Sequence, residues 1–307
     1  MISDVRVCAP AKINLILRVL DRRTDGYHNL WSLMQTVELE DEVHLHLQSE
    51  TTGVRLRCDD PALPTDGRNL VSRAAGVVLE RAGLSVGLDI RIVKRIPVSA
   101  GLGGGSSDAA ATIVGLNRLL GLGWSASEMA HVGQVLGSDV PFFFFAPTAH
   151  VRARGEDVAP LRLVGERWIV LVNPGFPIET RWAYDRLSGT RSSVMALSRG
   201  VSSLGAKTQV TWEEILPLME NDFESALAPT HPVLEKMKRA LLSHGAEAAL
   251  LSGSGSTVFG VFAHQESAVR ARDELKRQHG WWGSAVKAGS RSLGPHEMSS
   301  LNSLQVG

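Results

Sequence analysis

Between Val5 and Leu20 the apolar residues Val7, Ile13, Leu15, Leu17 and Val19 alternate with other residues, interrupted by Pro10. That period of two predicts a strand with one buried face. Asp21 to Leu30 is turn-rich, tightest at Asp25-Gly26, and Leu33 to Leu47 resumes the alternation. Val54 to Arg57 adds a short edge, and Pro61 to Gly67 reads as loop. The period then changes. Leu70, Ala74, Val77 and Val78 predict a helix capped by Asn69 and stopped at Gly83. Gly87 to Ile96 alternates again, and Ala109, Ile113, Leu116 and Leu120 predict a helix from Asp108 to Gly121. Ser125 and Glu128 form a capping box for a short helix ending near Leu136. Beyond residue 150 come strands at His150–Arg154 and Trp168–Asn173, then helices at Trp212–Met219 and His231–Ser243. Ala248 to Phe262 reads as strand, small-residue turn and strand, followed by a helix at Glu266–Lys276 and a strand near Ala285. Gly189 to Gln209, rich in Ser, Thr, Gly and Arg, is expected to be a mobile insertion, and the polar residues from Pro295 to fray.

The 307 residues allow two modest domains, and 32 basic against 32 acidic residues give no formal net charge. A binder of nucleic acid or of a membrane surface would carry a basic excess, so neither partner is expected. Cys8 and Cys58 stand far apart with no CxxC partner, which fits neither a zinc site nor a disulfide framework and suits a reducing cytoplasm. The N-terminus shows no basic segment leading into an apolar core, so no signal peptide is expected. The most apolar run, Val140 to Ala146, is too short to span a bilayer.

Between a predicted strand and a predicted helix lie Pro97, Val98, Ser99, Ala100, Gly101, Leu102, Gly103, Gly104, Gly105, Ser106 and Ser107. Glycine amides can approach a ligand with no Cβ in the way, and the helix end adds unpaired N–H groups and a positive dipole. Together they make a seat for phosphate. No lysine follows Gly105 as a P-loop requires, and Ser106 breaks a dinucleotide fingerprint. Elsewhere the chemistry-bearing residues are ambiguous on their own. Lys12 and Asn14 occupy the less apolar face of the first strand, where lysine is usually solvated. Tyr27 and His28 follow the Asp25-Gly26 turn and suit either packing or ring recognition. Asp139, in Gly137-Ser-Asp-Val-Pro141, reads on its own as a helix cap or turn aspartate.

Three stretches taken in order resemble the GHMP kinase superfamily: Pro10-Ala-Lys-Ile-Asn-Leu15, the Pro97–Ser107 loop, and Leu251-Ser-Gly-Ser-Gly-Ser-Thr-Val-Phe-Gly260. Arg23 to Leu30 and Asp139-Val-Pro141 narrow the likeness to a branch of isoprenoid precursor synthesis whose alcohol substrate carries a cytidine diphosphate. The resemblance implies a two-lobed α+β fold. Residues 1–158 would form a lobe like the second domain of ribosomal protein S5, and residues 159–307 an α/β sandwich lobe. It implies an ATP-dependent kinase with Lys12 and Asp139 as the catalytic pair and Asn14, Tyr27, His28 and Asp139 holding substrate. The 97–107 loop would bind the ATP phosphates, and Ser252, Gly253, Ser254, Gly255 and Ser256 would shore up the site. Mg²⁺ would arrive with ATP, with Ser106 or Ser107 as its candidate protein contact, and the chain would be a monomer or weak homodimer. Position 99 is serine where many relatives carry glycine. A mevalonate or homoserine kinase is the nearest rival, disfavoured by Tyr27 and His28 because those substrates carry no base. An S5-like nucleic-acid binder is the rival from another class.

Overall fold

The two alternating stretches near the N-terminus form long antiparallel strands, β1 (Asp4–Arg22) and β2 (His28–Gln48). In this computed structural model the described residues are 3–48, 52–191, 196–289 and 293. Register shifts at Pro10/Ala11 and Asn14/Ile16 let β1 run past its proline without losing its partner. β3 (Gly53–Cys58) leads through α1 (Leu70–Ala82) to β4 (Gly87–Val93), which pairs with the second half of β2. Asn69 caps α1 by accepting from Val71 N–H at 2.9 Å, and Gly83 ends it with φ 65°.

Helix α2 (Gly104–Leu119) begins four residues earlier than its apolar spacing indicated, inside the glycine run. α3 (Ala126–Gly133) carries the expected Ser125–Glu128 box but ends before Leu136. β5 (Thr148–Ala153) and β6 (Asp157–Pro160) form a hairpin against the first half of β2.

The rest of the chain builds a second sheet. After β7 (Arg162–Val164) come β8 (Trp168–Asn173), α4 (Thr180–Thr190), α5 (Arg199–Leu204), β9 (Gln209–Thr211) and α6 (Trp212–Ile215). Then follow β10 (Glu220–Asn221), α7 (Phe223–Leu227), α8 (Pro232–Ser243), β11 (Ala248–Leu251), β12 (Val258–Phe262), α9 (Gln265–His279) and β13 (Trp282–Lys287). Its strand order is β11-β12-β8-β13, all antiparallel, while β10 adds in parallel to β1 of the first sheet.

Strand β1 is covered on both faces rather than one. Ala11, Ile13 and Leu15 enter a core shared with Ile169, Leu171 and Phe259, while Lys12 and Asn14, on the opposite face, are buried too. The expected mobile insertion at 189–209 is corrected as well. Residues 192–195 lie outside the described residues, but α5 follows, and its Val201 and Leu204 are buried beside Trp31, Val210 and Trp212. Burying two such side chains stabilises by roughly 1.5–3 kcal/mol each, enough to dock a polar segment. The residues expected to fray, from Pro295 on, lie outside the described residues. No described helix is long and apolar enough to cross a membrane.

Candidate active site

The glycine-rich loop is held by its carbonyls. Ala100 C=O accepts from Thr257 N–H at 3.1 Å, and Gly101 C=O from Ser252 Oγ at 3.0 Å. Leu102 C=O accepts from Lys12 N–H at 2.9 Å, and Gly103 C=O from Ser107 N–H at 2.9 Å. Among the described residues none of these bonds uses an amide of Gly101 to Gly105, so those N–H groups stay available. Gly103, with φ 70°, caps α2 without any side-chain bond, leaving the first turn of the helix open. This is the arrangement an anion needs.

Space confirms how tightly the loop is gripped. A Cβ on Gly101 would lie 2.1 Å from the Ser252 carbonyl oxygen, and one on Gly103 would lie 2.9 Å from Lys12 Cγ. Gly104 turns its hydrogen inward, where a Cβ would meet Ile96 at 3.1 Å and Lys94 Nζ at 3.4 Å. Ser99 holds φ 52°, a left-handed conformation that favours glycine. Pro97 and Val98 precede it at the rim, where Val98 is exposed.

Lys12 crosses this loop. Its side chain is buried, and Nζ donates to Asn14 Oδ1 at 2.8 Å and lies 3.3 Å from Asp139 Oδ2. Asn14 in turn donates to Ser32 Oγ at 2.9 Å, and Ser32 Oγ to Ile16 C=O at 2.7 Å, which fixes the amide's orientation. Asp139 remains partly open, its side chain 28% accessible. The apolar run after it explains why it stays put: Val140, Phe142, Phe143 and Phe144 are buried, and Phe143 reaches within 3.4 Å of where a Gly103 Cβ would be. What reads as a hydrophobic curiosity in the sequence is an anchor.

The Ser252–Ser256 turn closes the other side. Besides Ser252, a Cβ on Gly253 would lie 3.3 Å from Lys12 Nζ, so the turn passes close over the ammonium. Ser254 Oγ pairs with Thr180 Oγ1 at 3.1 Å, Gly255 rests on Ile178 and Leu251, and Ser256 Oγ donates to Phe176 C=O. Two asparagines with no local mark in the sequence hold this turn. Asn221 Nδ2 donates to both Leu251 C=O and Gly253 C=O at 2.8 Å. Asn173 Nδ2 donates to Thr257 Oγ1 at 3.0 Å and Ser256 Oγ at 3.3 Å.

Tyr27 and His28 separate in role. His28 stacks on Tyr184 with ring centroids 5.1 Å apart and 22° between planes, and its Nε2 lies 3.2 Å from Ser188 Oγ. Burial, reinforced by the charges of Arg22 and Arg191, lowers the His28 pKa from its ordinary value and favours the neutral ring, which can both donate and accept. Tyr184 meets Phe223 edge-on at 4.9 Å, and burial with the negative charge of Asp139 raises its phenol pKa. Tyr184 thus stacks on the His28 ring and feels the charge of Asp139. Its only sequence signal was scarcity, as one of two tyrosines. Tyr27 remains 54% exposed, with one ring face covered by the Arg154 guanidinium.

Ser107 Oγ is buried without a hydrogen-bond partner, whereas Ser106 is only partly buried. Among the described residues no group of three or more His, Cys, Asp or Glu is placed to hold a metal ion.

Residues 69–146 match the family of GHMP kinases N terminal domains, and residues 204–280 that of GHMP kinases C terminal domains. A 4-diphosphocytidyl-2-C-methyl-D-erythritol kinase from Geobacter sp. (strain M21) is 41% identical over 286 residues, spanning 93% of this chain and 99% of that one. A namesake from Syntrophotalea carbinolica is 43% identical over 281 residues, 91% and 97% of the two chains. The crystal structure of a 4-(cytidine 5'-diphospho)-2C-methyl-D-erythritol kinase superposes with a TM-score of 0.73 at 31% identity, covering 94% of this chain and all of that one. A homoserine kinase from Cytophaga hutchinsonii shares the fold, with a TM-score of 0.75 at 23% identity over 96% of both chains. Matched by relatives over nearly its whole length, this two-lobed α+β chain belongs to the 4-diphosphocytidyl-2-C-methyl-D-erythritol kinase family of the GHMP kinases.

Proposed function

We propose that this ATP-dependent kinase transfers a phosphoryl group to the 2-hydroxyl of 4-diphosphocytidyl-2-C-methyl-D-erythritol in isoprenoid synthesis. The observation that carries it is the Lys12–Asp139 pair, 3.3 Å apart, set across a loop whose amides are free to receive phosphate. Asp139 takes the proton of the substrate hydroxyl as the new O–P bond forms and the γ-phosphorus–bridging-oxygen bond of ATP breaks, releasing ADP. Lys12 stabilises the negative charge developing on the attacking oxygen. The amides of Gly101 to Gly105 and the open end of α2 stabilise charge on the phosphoryl oxygens, typically the largest catalytic contribution. Lys12 is itself positioned by Asn14, so a contact of Asn14 with substrate would be felt directly at the ammonium.

Mg²⁺, carried by the ATP phosphates, supplies charge neutralisation when bound. The orphaned hydroxyl of Ser107, with Ser106 beside it, fits a role in holding that ion. The cytosine is read by the Tyr27–His28 segment: Tyr27 offers an exposed ring and His28 a neutral imidazole for the base edge.

Kinase assays with ATP and Mg²⁺ on the cytidylylated alcohol and on methylerythritol phosphate test the reading. Turnover of the first with kcat/KM at least 10²-fold higher than the second is expected, the order of discrimination a hydrogen-bonding pocket reaches or exceeds. Equal kcat/KM for both would refute the substrate while leaving the kinase intact.

A further inference from the structure

We propose that Arg154 is a positioning residue for substrate, holding the Tyr27 ring from behind so that its open face meets the base. The proposal rests on the reading of Tyr27 as a base-stacking residue and adds the device that orients it.

Tyr27 is an unusual ligand candidate because so little protein touches its ring. Its backbone is fixed well enough: Tyr27 C=O accepts from Arg23 N–H at 2.7 Å, and Tyr27 N–H donates to Asp25 Oδ1 at 3.1 Å. The side chain, more than half exposed, would still turn freely about χ1 and lose that freedom only on binding. The Arg154 guanidinium carbon lies 4.9 Å from the ring centroid, within cation–π range. It covers one face and leaves the other for a ligand. The same charge reaches Asp25, whose carboxyl lies below its usual range. There desolvation, the largest single influence and an upward one, is outweighed by the Tyr27 amide bond, the Arg23 ion pair and Arg154 acting together.

Arg154 is in turn held by a turn that has little room to change. It sits between β5 and β6, flanked by Ala153 at φ 58° and Gly155 at φ 129°, and Gly155 N–H donates to Arg152 C=O at 3.1 Å. The Arg154 amide donates to Glu156 Oε2 at 2.8 Å. A Cβ on Gly155 would lie 2.2 Å from the Ser138 carbonyl oxygen, so the turn presses on the residue preceding Asp139. One short hairpin end therefore braces the segment carrying the general base and the ring proposed to hold the nucleobase. Ala153, a non-glycine residue in the left-handed region just before the arginine, is a strained position.

Titration calorimetry with cytidine 5′-diphosphate, together with steady-state kinetics on the cytidylylated substrate, tests this on the full chain. Arg154→Met keeps the stem and removes the cation. It is expected to weaken cytidine diphosphate binding and raise KM for the cytidylylated substrate by about two- to fivefold, with KM for ATP unmoved and the change falling on KM rather than kcat. Arg154→Lys restores part of the loss. In a Tyr27→Ala background the same Arg154→Met change has no further effect, because the arginine acts through the ring. An unchanged affinity in Arg154→Met, or a loss that persists undiminished without Tyr27, overturns the proposal. A parent that binds no cytidine diphosphate refutes the nucleobase reading itself, and Arg154's role falls with it.

Discussion

Replacing Gly101 with alanine puts a methyl group 2.1 Å from the carbonyl oxygen of Ser252. Side-chain carbons do not approach an oxygen closer than about 3.0 Å, so loop and turn must separate by about 1 Å. No side-chain rotation can relieve this, because both partners are backbone. Ser252 is further tied by its Oγ bond to Gly101 C=O and its amide bond to Thr257 C=O. Alanine at φ 78° adds about 1–2 kcal/mol of backbone strain. A displacement of about 1 Å in a reacting group can cost about 10²-fold in rate, equivalent to about 2.7 kcal/mol of barrier. Gly101→Ala is therefore expected to lower kcat/KM for ATP by about 10²-fold while thermal denaturation still shows a folded protein. Gly76→Ala is the control. Its Cβ would meet nothing within 4 Å, in α1 at ordinary dihedrals and away from the loop, so activity should stay within about threefold of the parent. Steady-state kinetics and melting curves on both variants decide. Gly101→Ala with kcat/KM within fivefold of Gly76→Ala would show that the grip of the Ser252 turn on the loop does not position the phosphates.

Asp139→Asn is expected to retain binding of a non-hydrolysable ATP analogue and to lose about two to four orders of magnitude in kcat, and a steady-state rate within tenfold of the parent would exclude it as general base. His150, buried against Trp31, supplies a pH prediction. Burial and the charge of Arg152 lower its folded pKa below the ordinary 6.5, against the opposing effect of the Leu204 and Lys207 backbone. Below pH 6.5 the unfolded chain takes up the proton first, so this contribution to stability is complete above that pH and is lost as pH falls toward the folded value. Urea melts at pH 7.5 and 5.5 should show the drop, and His150→Phe should make it shallower.

Much of the first sheet could be read from periodicity because local pattern and tertiary burial agree there: Asn69 and Gly83 bound α1 as their chemistry demands. The misplaced start of α2 has a physical cause. Glycine is a poor helix former, so spacing and propensity put the start at Asp108, whereas the fold runs the helix back through Gly104 and Gly105. α5 was illegible for a different reason. Val201 and Leu204 are too few for a period, and what buries them is Trp31 and Trp212 from distant parts of the chain. The site divides in the same way. The glycine-rich loop announces itself through four glycines in a short span, a local signal. Asn221, Asn173 and Tyr184 act through partners far along the chain, and single polar or aromatic residues in ordinary helices and strands carry no local mark.

Lys12 shows why resemblance was needed to see what pattern alone missed. A lysine between buried strand residues looks like the solvated member of an alternation, and the arithmetic of one-sided strands puts it in water. The structure instead covers that face with the glycine loop and the Ser252 turn, leaving an ammonium with Asn14 and Asp139 as its polar company. Burial without partners would cost several kcal/mol, so the carboxylate and amide are conditions of the lysine's being there at all. The same coverings orient the loop: carbonyls of residues 100 to 102 are consumed by Thr257, Ser252 and Lys12, and the amides are what remain. Removing any one of these three donors would free a carbonyl oxygen beside those amides, opposing any anion they receive. The packing that buries Lys12 is thus the packing that gives the loop its polarity.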